Sequence, residues 1–461
     1  MNSKVREISG GPTKRFFVAM LPRDIELGDA ILDLVDNSVD GAMRQRRKSL
    51  QKSDVYKGFR CNLEISENGF RIADNCGGIP KEYIDSAFRL GRPQVDKDGD
   101  LPTIGMYGIG MKRAIFKMGL EAKVRSVTGG IASIVEYTEG WLDPENDDFT
   151  LSIGEEDDDQ SGDGVHIDIK KLKPEIAKQF GRTSFVNKLA DSISEHFAYL
   201  MMKGFEVCLN GSLLKPRTIQ VAASENLDNG IQPYNYTANF NGVEVNITVG
   251  LYRRLTTEDE IESSTLASDA VERAGISVIC NDRVVLVSDR TAKTGWGLGS
   301  VPRYHPQFRA IAGVVIFTAA AASKLPISTT KRDLDTDSDV YVRALNAVSE
   351  GIVTFTSFTN KWKGKERETD KLIEQVERIE ATSVALAAQH GIAARGQGGG
   401  ARKYIPSLPR PQTERTTRRI AFSRDIDEIH AVSKHLFGDA NVAPGEVGSA
   451  CFDWIFKSSK K

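Results

Sequence analysis

The sequence predicts an α+β protein, and two observations carry the prediction. Short runs of alternating or β-branched residues, typical of strands, lie between longer stretches whose apolar residues recur at helical spacing. These runs form two blocks, at about 23–172 and 190–350, and a chain of 461 residues has room for roughly three domains. The runs with the strand pattern read CNLEI, FRIAD, KVRSV and GVHIDI in the first block, and FEVCL, VEVNITVGLY, GISVIC, RVVLVS and IAGVVIFTA in the second.

Composition and charge exclude several classes of protein. Sixty-one basic and 63 acidic residues give a net charge of −2, so any contact with nucleic acid is expected to be regional. The five cysteines are scattered without a C-x-x-C pair, which disfavours a disulfide framework or a zinc site. The longest apolar run, 310–322, is shorter than the roughly 20 residues that span a bilayer. With no apolar signal core at the N-terminus, we expect a cytoplasmic protein with no membrane partner.

The segment DAILDLVDNSVDGA predicts a helix with a polar face. At 100° per residue, Asp33, Asn37 and Asp40 lie within about 60° of one another, whereas the apolar residues lie elsewhere on the helix. A carboxylate and an amide on one face can form part of a site. Solvated polar faces are also common, so this segment alone leaves both readings open.

A second motif, RIADNCGGIP, predicts a strand that runs into a Gly-rich turn after Asp74. A carboxylate in that position could accept a hydrogen from the exocyclic amino group of adenine, where guanine presents an acceptor instead. The same residues also make an ordinary turn.

A third motif, TIGMYGIGMKRAIFKMG, places Gly105, Gly108 and Gly110 before Lys112 and a helical pattern. Glycines allow the backbone to approach phosphates closely, and a helix N-terminus and a lysine add positive charge. The spacing differs from both the P-loop and the dinucleotide-binding fingerprint, so this motif is weak by itself.

Together with LPISTTKRD around Lys331, the order of these motifs resembles the GHKL ATPase superfamily, which includes gyrase B, heat-shock chaperones, histidine kinases and MutL. DLVDNSVDGA, GMYGIGMKRAIFKMG, GVHIDIKKL, NDRVVLVSD, GWG and PISTTKRDLD look most like its MORC branch and bacterial relatives. The resemblance implies a Bergerat-type α/β sandwich, a ribosomal-protein-like βαβ transducer domain and a helical C-terminal extension. The boundaries we predict are an arm at 1–22, the ATP-binding domain at 23–185, the transducer at 186–350, a helical segment at 351–390, a basic linker at 391–419 and a small C-terminal segment at 420–461.

The resemblance also implies roles for single residues. Asn37 matches the asparagine that ligates Mg²⁺, and Asp40 lies on the same predicted face. Asp33 stands where the family usually has the glutamate that activates water, and its shorter side chain predicts slow hydrolysis.

The other matches concern the two ends of the nucleotide. Asp74 and Gly78 match the adenine-reading motif, with Cys76 at a position where glycine is usual. Gly164 matches a Gly-Thr pair of the nucleotide pocket, but Val165 follows it here. At the phosphate end, Gly105, Gly108, Gly110 and Lys112 match the phosphate lid, and Lys331 matches the transducer lysine that reaches the γ-phosphate, where it would favour ATP over ADP.

The sequence thus predicts an ATP- and Mg²⁺-dependent switch that forms a homodimer through its N-terminal domains, with residues 1–22 crossing to the partner, and that hydrolyses ATP slowly. The resemblance suggests DNA or a DNA-associated partner, and bacterial relatives suggest a defence role. Two alternatives remain open: an ATP-sensing scaffold that does not hydrolyse, and a kinase of the histidine-kinase type. The kinase predicts a phosphoacceptor helical pair before the domain, for which only 32 residues precede Asp33.

Overall fold

The computed structural model describes residues 13–46, 54–90, 109–158, 160–224, 230–257, 260–261, 273–328, 333–374, 376–387, 392–393, 400–411 and 420–459. The chain divides into two compact units, Met1–Arg410 and Pro411–Lys461. The first unit contains two large sheets and their helices, which confirms the predicted mixed α+β class.

The first sheet has eight strands in the order β5-β4-β3-β6-β2-β1-β7-β8. Neighbouring strands are antiparallel except for the parallel pair β1 and β7. All four strand runs predicted for this block are confirmed. The strands are β1 (Arg60–Ser66), β2 (Gly69–Asp74), β3 (Gly119–Thr128), β4 (Ile131–Tyr137), β5 (Ile153–Asp157), β6 (Gly164–Leu172), β7 (Glu206–Leu209) and β8 (Ser212–Leu213).

Helices lie beside this sheet, and their apolar faces share one core with it. The alternating burial of β1 shows why the sequence forms a strand there, because every second side chain enters that core. The helices are α1 (Leu27–Gln45), α2 (Ile84–Phe88), α3 (Gly110–Met118), α4 (Glu139–Leu142), α5 (Pro174–Phe180), α6 (Thr183–His196) and α7 (Ala198–Met202).

The second sheet has seven strands in the order β13-β12-β14-β11-β10-β17-β16, and a separate pair joins β9 to β15. Its strands β12 and β14 are parallel, and the long helix α8 packs on β10, β11 and β14. The elements are β9 (Gln220–Ala223), β10 (Tyr234–Phe240), β11 (Val243–Leu251), β12 (Gly275–Cys280), β13 (Arg283–Asp289), β14 (Ile311–Ala319), α8 (Asp339–Lys361), α9 (Glu366–Glu374), β15 (Glu377–Glu380), α10 (Ala381–Ala387), β16 (Ile392–Ala393) and β17 (Arg402–Tyr404).

The predicted hairpin of the second block is confirmed, with a two-residue turn between the paired residues Cys280 and Arg283. Asn281 and Asp282 connect β12 to β13 with φ angles of 46° and 69°. Two successive residues with positive φ are the signature of a type I′ turn, which asparagine and aspartate tolerate better than most residues.

Three of the predicted boundaries differ from the structure. The first sheet extends through β8, beyond the predicted limit at 185, because β7 pairs with β1. Residues 402–404 of the predicted linker form β17 at the side of β10, and β15 interrupts the segment predicted to be helical at 351–390. Pairing between strands far apart in sequence decides these boundaries, so local composition did not show them.

The described part of the predicted arm is helical and lies on its own chain. Residues Phe16–Met20 and Leu21–Asp24 form short helical turns. Lys14 is fully buried: its ammonium donates to the carbonyl of Asp148 at 2.6 Å and lies 3.9 Å from the ring centre of Trp141. Residues 1–12 lie outside the described residues.

The second unit contains α11 (Ile426–Phe437) and α12 (Pro444–Ser459). Asp425 caps the first of these helices by accepting from the N–H of Asp427, and Gly438 ends it in the left-handed conformation. Among the described residues, no helix combines the length and apolar character needed to cross a membrane.

Candidate nucleotide site

Helix α1 carries the first predicted group of site residues, and the structure separates its members by exposure. Asp33 and Asp40 are only 4% and 5% exposed, whereas Asn37 is exposed. Ile31 and Val35 are fully buried and fix the rotation of the helix on the sheet. The Asn37 amide is therefore the member of the group that a ligand could reach from solvent.

Asp33 forms an ion pair with Arg113 of α3. The Nη2 of Arg113 lies 2.8 Å from Oδ2 of Asp33, and the two side chains are 16% and 5% exposed. This pair joins α1 to α3 and occupies one oxygen of the carboxylate predicted to be the general base. Sequence reasoning missed Arg113, although it directly follows the lysine of the Gly-rich motif.

The N-terminus of α3 lies against Asp33. A Cβ placed on Gly110 would be 3.5 Å from the Asp33 carboxylate, and the N-cap residue Ile109 offers no side-chain acceptor to the first N–H groups of the helix. Among the described residues, Nε of Arg113 is a buried donor with no hydrogen-bond partner. A helix N-terminus without a side-chain cap and a buried guanidinium donor without a partner together favour an anion at this end of the site.

Asp74 ends β2 and is held by three donors. Its Oδ2 accepts from the Ser38 hydroxyl at 2.6 Å, and its Oδ1 accepts from the N–H groups of Cys76 at 2.9 Å and Val165 at 3.2 Å. Burial raises the pKa of Asp74 above its usual value, against the lowering effect of these hydrogen bonds. A carboxylate oxygen can accept two hydrogen bonds, so Oδ2 keeps room for one more donor.

The sequence did not point to Ser38, yet it links the two predicted motifs. It follows the predicted metal ligand Asn37 on α1, and its buried hydroxyl reaches Asp74 across to β2. The hydroxyl expected after Gly164 is absent because Val165 stands there; Val165 contributes its backbone N–H instead. A serine within the polar pattern of α1 was the available signal.

Steric limits explain two of the predicted glycines. A Cβ on Gly78, where φ is +67°, would lie 2.1 Å from the carbonyl oxygen of Val127, and a Cβ on Gly164 would lie 2.0 Å from that of Asp74. Both glycines therefore permit close backbone contacts around the Asp74 turn. The left-handed conformations fall on Gly77 and Gly78 rather than on Cys76, so the backbone at Cys76 needs no glycine.

Lys112 is placed differently from the prediction. It is 1% exposed, and its ammonium donates to the carbonyls of Ala87 at 2.6 Å and Arg89 at 2.7 Å. Burial lowers its pKa to about 8. The lysine thus ties α3 to the end of α2, and its predicted contact with a phosphate has no support in this arrangement.

Three predicted residues cannot be placed. Gly105 and Gly108 of the lid and Lys331 of the second block lie outside the described residues. The described chain on either side of Lys331 is pinned by a β-bridge between Ile327 and Leu334. Within the described part of the chain, no cluster of three or more His, Cys, Asp or Glu residues could hold a metal by itself.

Comparison with known families agrees with this geometry for the first part of the chain. Residues 25–156 match the family described as Histidine kinase-, DNA gyrase B-, and HSP90-like ATPase. This segment is under a third of the 461 residues and includes α1, Asp74 and α3. No curated protein matches the chain. The match supports the GHKL superfamily and an ATP-binding domain in this segment.

Proposed function

We propose that this protein is an ATP-driven conformational switch that binds ATP with Mg²⁺ and hydrolyses it slowly to ADP and phosphate. The observation that carries the proposal is that α1 contacts both ends of the candidate site. Ser38 on this helix bonds Asp74, and Asp33, five residues earlier, pairs with Arg113 at the start of α3. One rigid helix therefore relates a candidate base-reading carboxylate to a candidate phosphate-binding helix end.

The residues present fit an adenine nucleotide with its metal. The free acceptor position on Asp74 Oδ2 suits the amino group of adenine, and the orphaned Nε of Arg113 suits a phosphate oxygen. The exposed amide of Asn37 would supply one oxygen ligand, and phosphates and water would supply the rest. A bound Mg²⁺ would neutralise charge on the phosphates.

In the reaction, a water attacks the γ-phosphorus and loses a proton to the carboxylate of Asp33. The bond from the γ-phosphorus to the bridging oxygen breaks, and its electron pair stays on ADP. Asp33 must first be released by Arg113, whose guanidinium then faces the phosphates. This exchange, together with the short side chain of Asp33, accounts for slow turnover.

Asp33→Asn tests this assignment, because the amide keeps the size of the side chain but cannot take a proton. We expect ATP affinity to stay within about threefold of the wild type and phosphate release to fall by 10²–10⁴-fold. Asp24→Asn, an exposed carboxylate just before α1, is the control and should release phosphate at the wild-type rate. Equal rates for Asp33→Asn and wild type would remove Asp33 as the base.

The Asp33–Arg113 pair also favours a second function, an ATP-sensing scaffold. If the pair stays closed with nucleotide bound, ATP changes the conformation without being consumed. This alternative predicts ATP binding with no phosphate release above that of buffer. The same measurement on the wild-type protein separates the two.

The wider parts of the proposal rest on the resemblance. They comprise the transducer identity of the second sheet, the γ-phosphate contact of Lys331, an ATP-dependent homodimer, action on DNA or a DNA-associated partner, and a defence role. The described residues 13–22 pack on their own chain, so a crossing arm must leave that contact or begin before it. Sedimentation of the full chain with ATP and with ADP tests the dimer, which should form with ATP but not with ADP.

A further inference from the structure

The tip of the β12–β13 hairpin, residues 281–283, belongs to the second sheet but contacts α1, a helix that packs on the first sheet. Arg283, the first residue of β13, pairs with Asp36: Nε lies 2.6 Å from Oδ1, and Nη2 lies 3.4 Å from Oδ2. The side chains are 1% and 0% exposed. Asp36 lies between Asp33 and Asn37 in the sequence of α1, so the pair is attached to the helix that carries the candidate site.

The remaining contacts leave Arg283 little freedom. Its Nη1 donates to the carbonyls of His196 at 3.2 Å and Val284 at 2.8 Å, and its guanidinium lies 4.3 Å from the ring centre of Phe197. The His196 carbonyl is at the C-terminus of α6, where a positive charge is favoured. Arg283 thereby links α1, α6 and β13.

The neighbouring residue, Asp282, makes a second contact between the second sheet and residues beside the first sheet. Its carboxylate accepts from the ammonium of Lys203 at 2.6 Å and from the hydroxyl of Tyr56 at 3.4 Å. Both donors precede strands of the first sheet: Tyr56 lies before β1, and Lys203 lies before its parallel partner β7. The side chains of Asp282 and Arg283 therefore both fix this turn against residues of the first sheet and its helices.

Asn281 connects the same tip to the end of β14. Its Nδ2 donates to the carbonyl of Ala319 at 3.1 Å, and its Oδ1 accepts from the N–H of Ala319 at 3.0 Å. Ala319 is the last residue of β14, and the chain then runs to the bridge between Ile327 and Leu334 that flanks Lys331. The three consecutive residues 281–283 thus connect α1 to the end of β14 and to residues 320–328 that follow it.

A buried ion pair restricts how far the two elements that it joins can move relative to each other. Each charge loses its hydration on burial, and the pair tolerates little displacement because a separated buried charge is strongly disfavoured. A shift of α1 on nucleotide binding must therefore carry Arg283 with it or break the pair. Tightly packed elements with two arrangements transmit such shifts over distance.

We propose that Arg283 is a positioning residue for α1 and that the tip 281–283 couples the nucleotide state of α1 to residues 320–328, which follow β14. The coupling rests on the proposed function, since it requires that ATP binds beside α1. In this proposal the second sheet responds to ATP through the contacts of the hairpin tip with α1, in addition to any direct contact between Lys331 and the nucleotide.

The test uses two variants of the full chain with different links removed. Asn281→Gly deletes both side-chain bonds to Ala319 and keeps the positive-φ turn. Asp36→Leu/Arg283→Met removes both buried charges together, a replacement that folded proteins often accept. The control is Asn210→Gly at the β7–β8 turn, where asparagine also has positive φ, at 48°, and also makes two side-chain bonds to one backbone residue, Ile65.

The measurements are ATP affinity by calorimetry with Mg²⁺, hydrogen exchange of peptides covering 320–328 with and without ATP, and phosphate release. In the wild type and in Asn210→Gly, ATP should slow exchange in these peptides at least fivefold. Both test variants should bind ATP within about threefold of the wild type, lose this protection, and show a kcat at least tenfold lower at unchanged KM.

Failure of the coupling differs from failure of the proposed function. Full ATP-dependent protection and wild-type kcat in Asn281→Gly would overturn the coupling while ATP binding stands. A wild type that binds no ATP would overturn both. If the double variant does not fold, Asn281→Gly decides the question, because hydrogen exchange reads the coupling even where hydrolysis is absent.

Discussion

Replacing Asp74 with asparagine tests how the site would recognise adenine. Oδ1 accepts two backbone N–H groups, so the carbonyl oxygen of the asparagine will take that position. The amide nitrogen then replaces Oδ2 and presents hydrogens toward the position proposed for the amino group of adenine. The Ser38 hydroxyl adapts by accepting a hydrogen bond instead of donating one.

The effect on ATP can be given a magnitude. A hydrogen bond to a charged group contributes about 1.5–3 kcal/mol, so its loss should weaken ATP binding about 10- to 150-fold. Guanine presents an acceptor at the same edge, so the affinity for GTP should fall less or rise. The fold should be retained, because burial opposes the charge of Asp74 and a neutral amide avoids that cost.

Calorimetry with ATP and GTP in the presence of Mg²⁺, together with thermal unfolding, reads both effects. Asp168→Asn is the control, since Asp168 lies on β6 beside β2 and pairs with Arg71 at the surface. An ATP affinity within twofold of the wild type in a folded Asp74→Asn protein would refute adenine recognition by this carboxylate.

Two further predictions concern stability and the site. Gly164→Ala should lower the free energy of unfolding by about 1–3 kcal/mol, measured by thermal unfolding, and should weaken ATP binding, because its Cβ would lie 2.0 Å from the Asp74 carbonyl oxygen. Gly28→Ala is the control: Gly28 has open space around it on α1, so this change should leave the free energy of unfolding the same or raise it. Lys112→Met should lower stability by about 1–3 kcal/mol at neutral pH by leaving two carbonyls unpaired. Because burial lowers the pKa of Lys112 to about 8, the folded protein holds fewer protons than the unfolded chain between pH 8 and about 10.4. The free energy of unfolding of the wild type should therefore rise relative to that of the variant as the pH rises through this range. A difference in urea unfolding that does not change with pH would contradict the buried placement of Lys112.

Local patterns in the sequence predicted the strands well. Alternation within β1 and β2 and the Asn281-Asp282 turn are set by neighbouring residues, so they are visible without the fold. The limit of the first sheet and the strand at 402–404 depend on partners more than 100 residues away, and local composition carries no trace of them.

The candidate site shows the same division. Asp33 and Asp74 were selected as candidates because their motifs are short and ordered along the chain, and their roles stay predictions. Ser38 and Arg113 were missed because their importance lies in which carboxylate each one reaches. Lys112 has the spacing of the lid lysine in the motif that the sequence resembles, but its ammonium bonds the carbonyls of Ala87 and Arg89 at the end of α2, a contact that spacing does not encode.

The central claim is that an adenine nucleotide binds beside α1 between Asp74 and the start of α3. Calorimetric titration of the folded, full-length chain with ATP in the presence of Mg²⁺ tests it most directly. The account predicts saturable binding at one site per chain, weakened in Asp74→Asn and nearly unchanged in Asp33→Asn. A flat titration with protein that unfolds cooperatively on heating would contradict it.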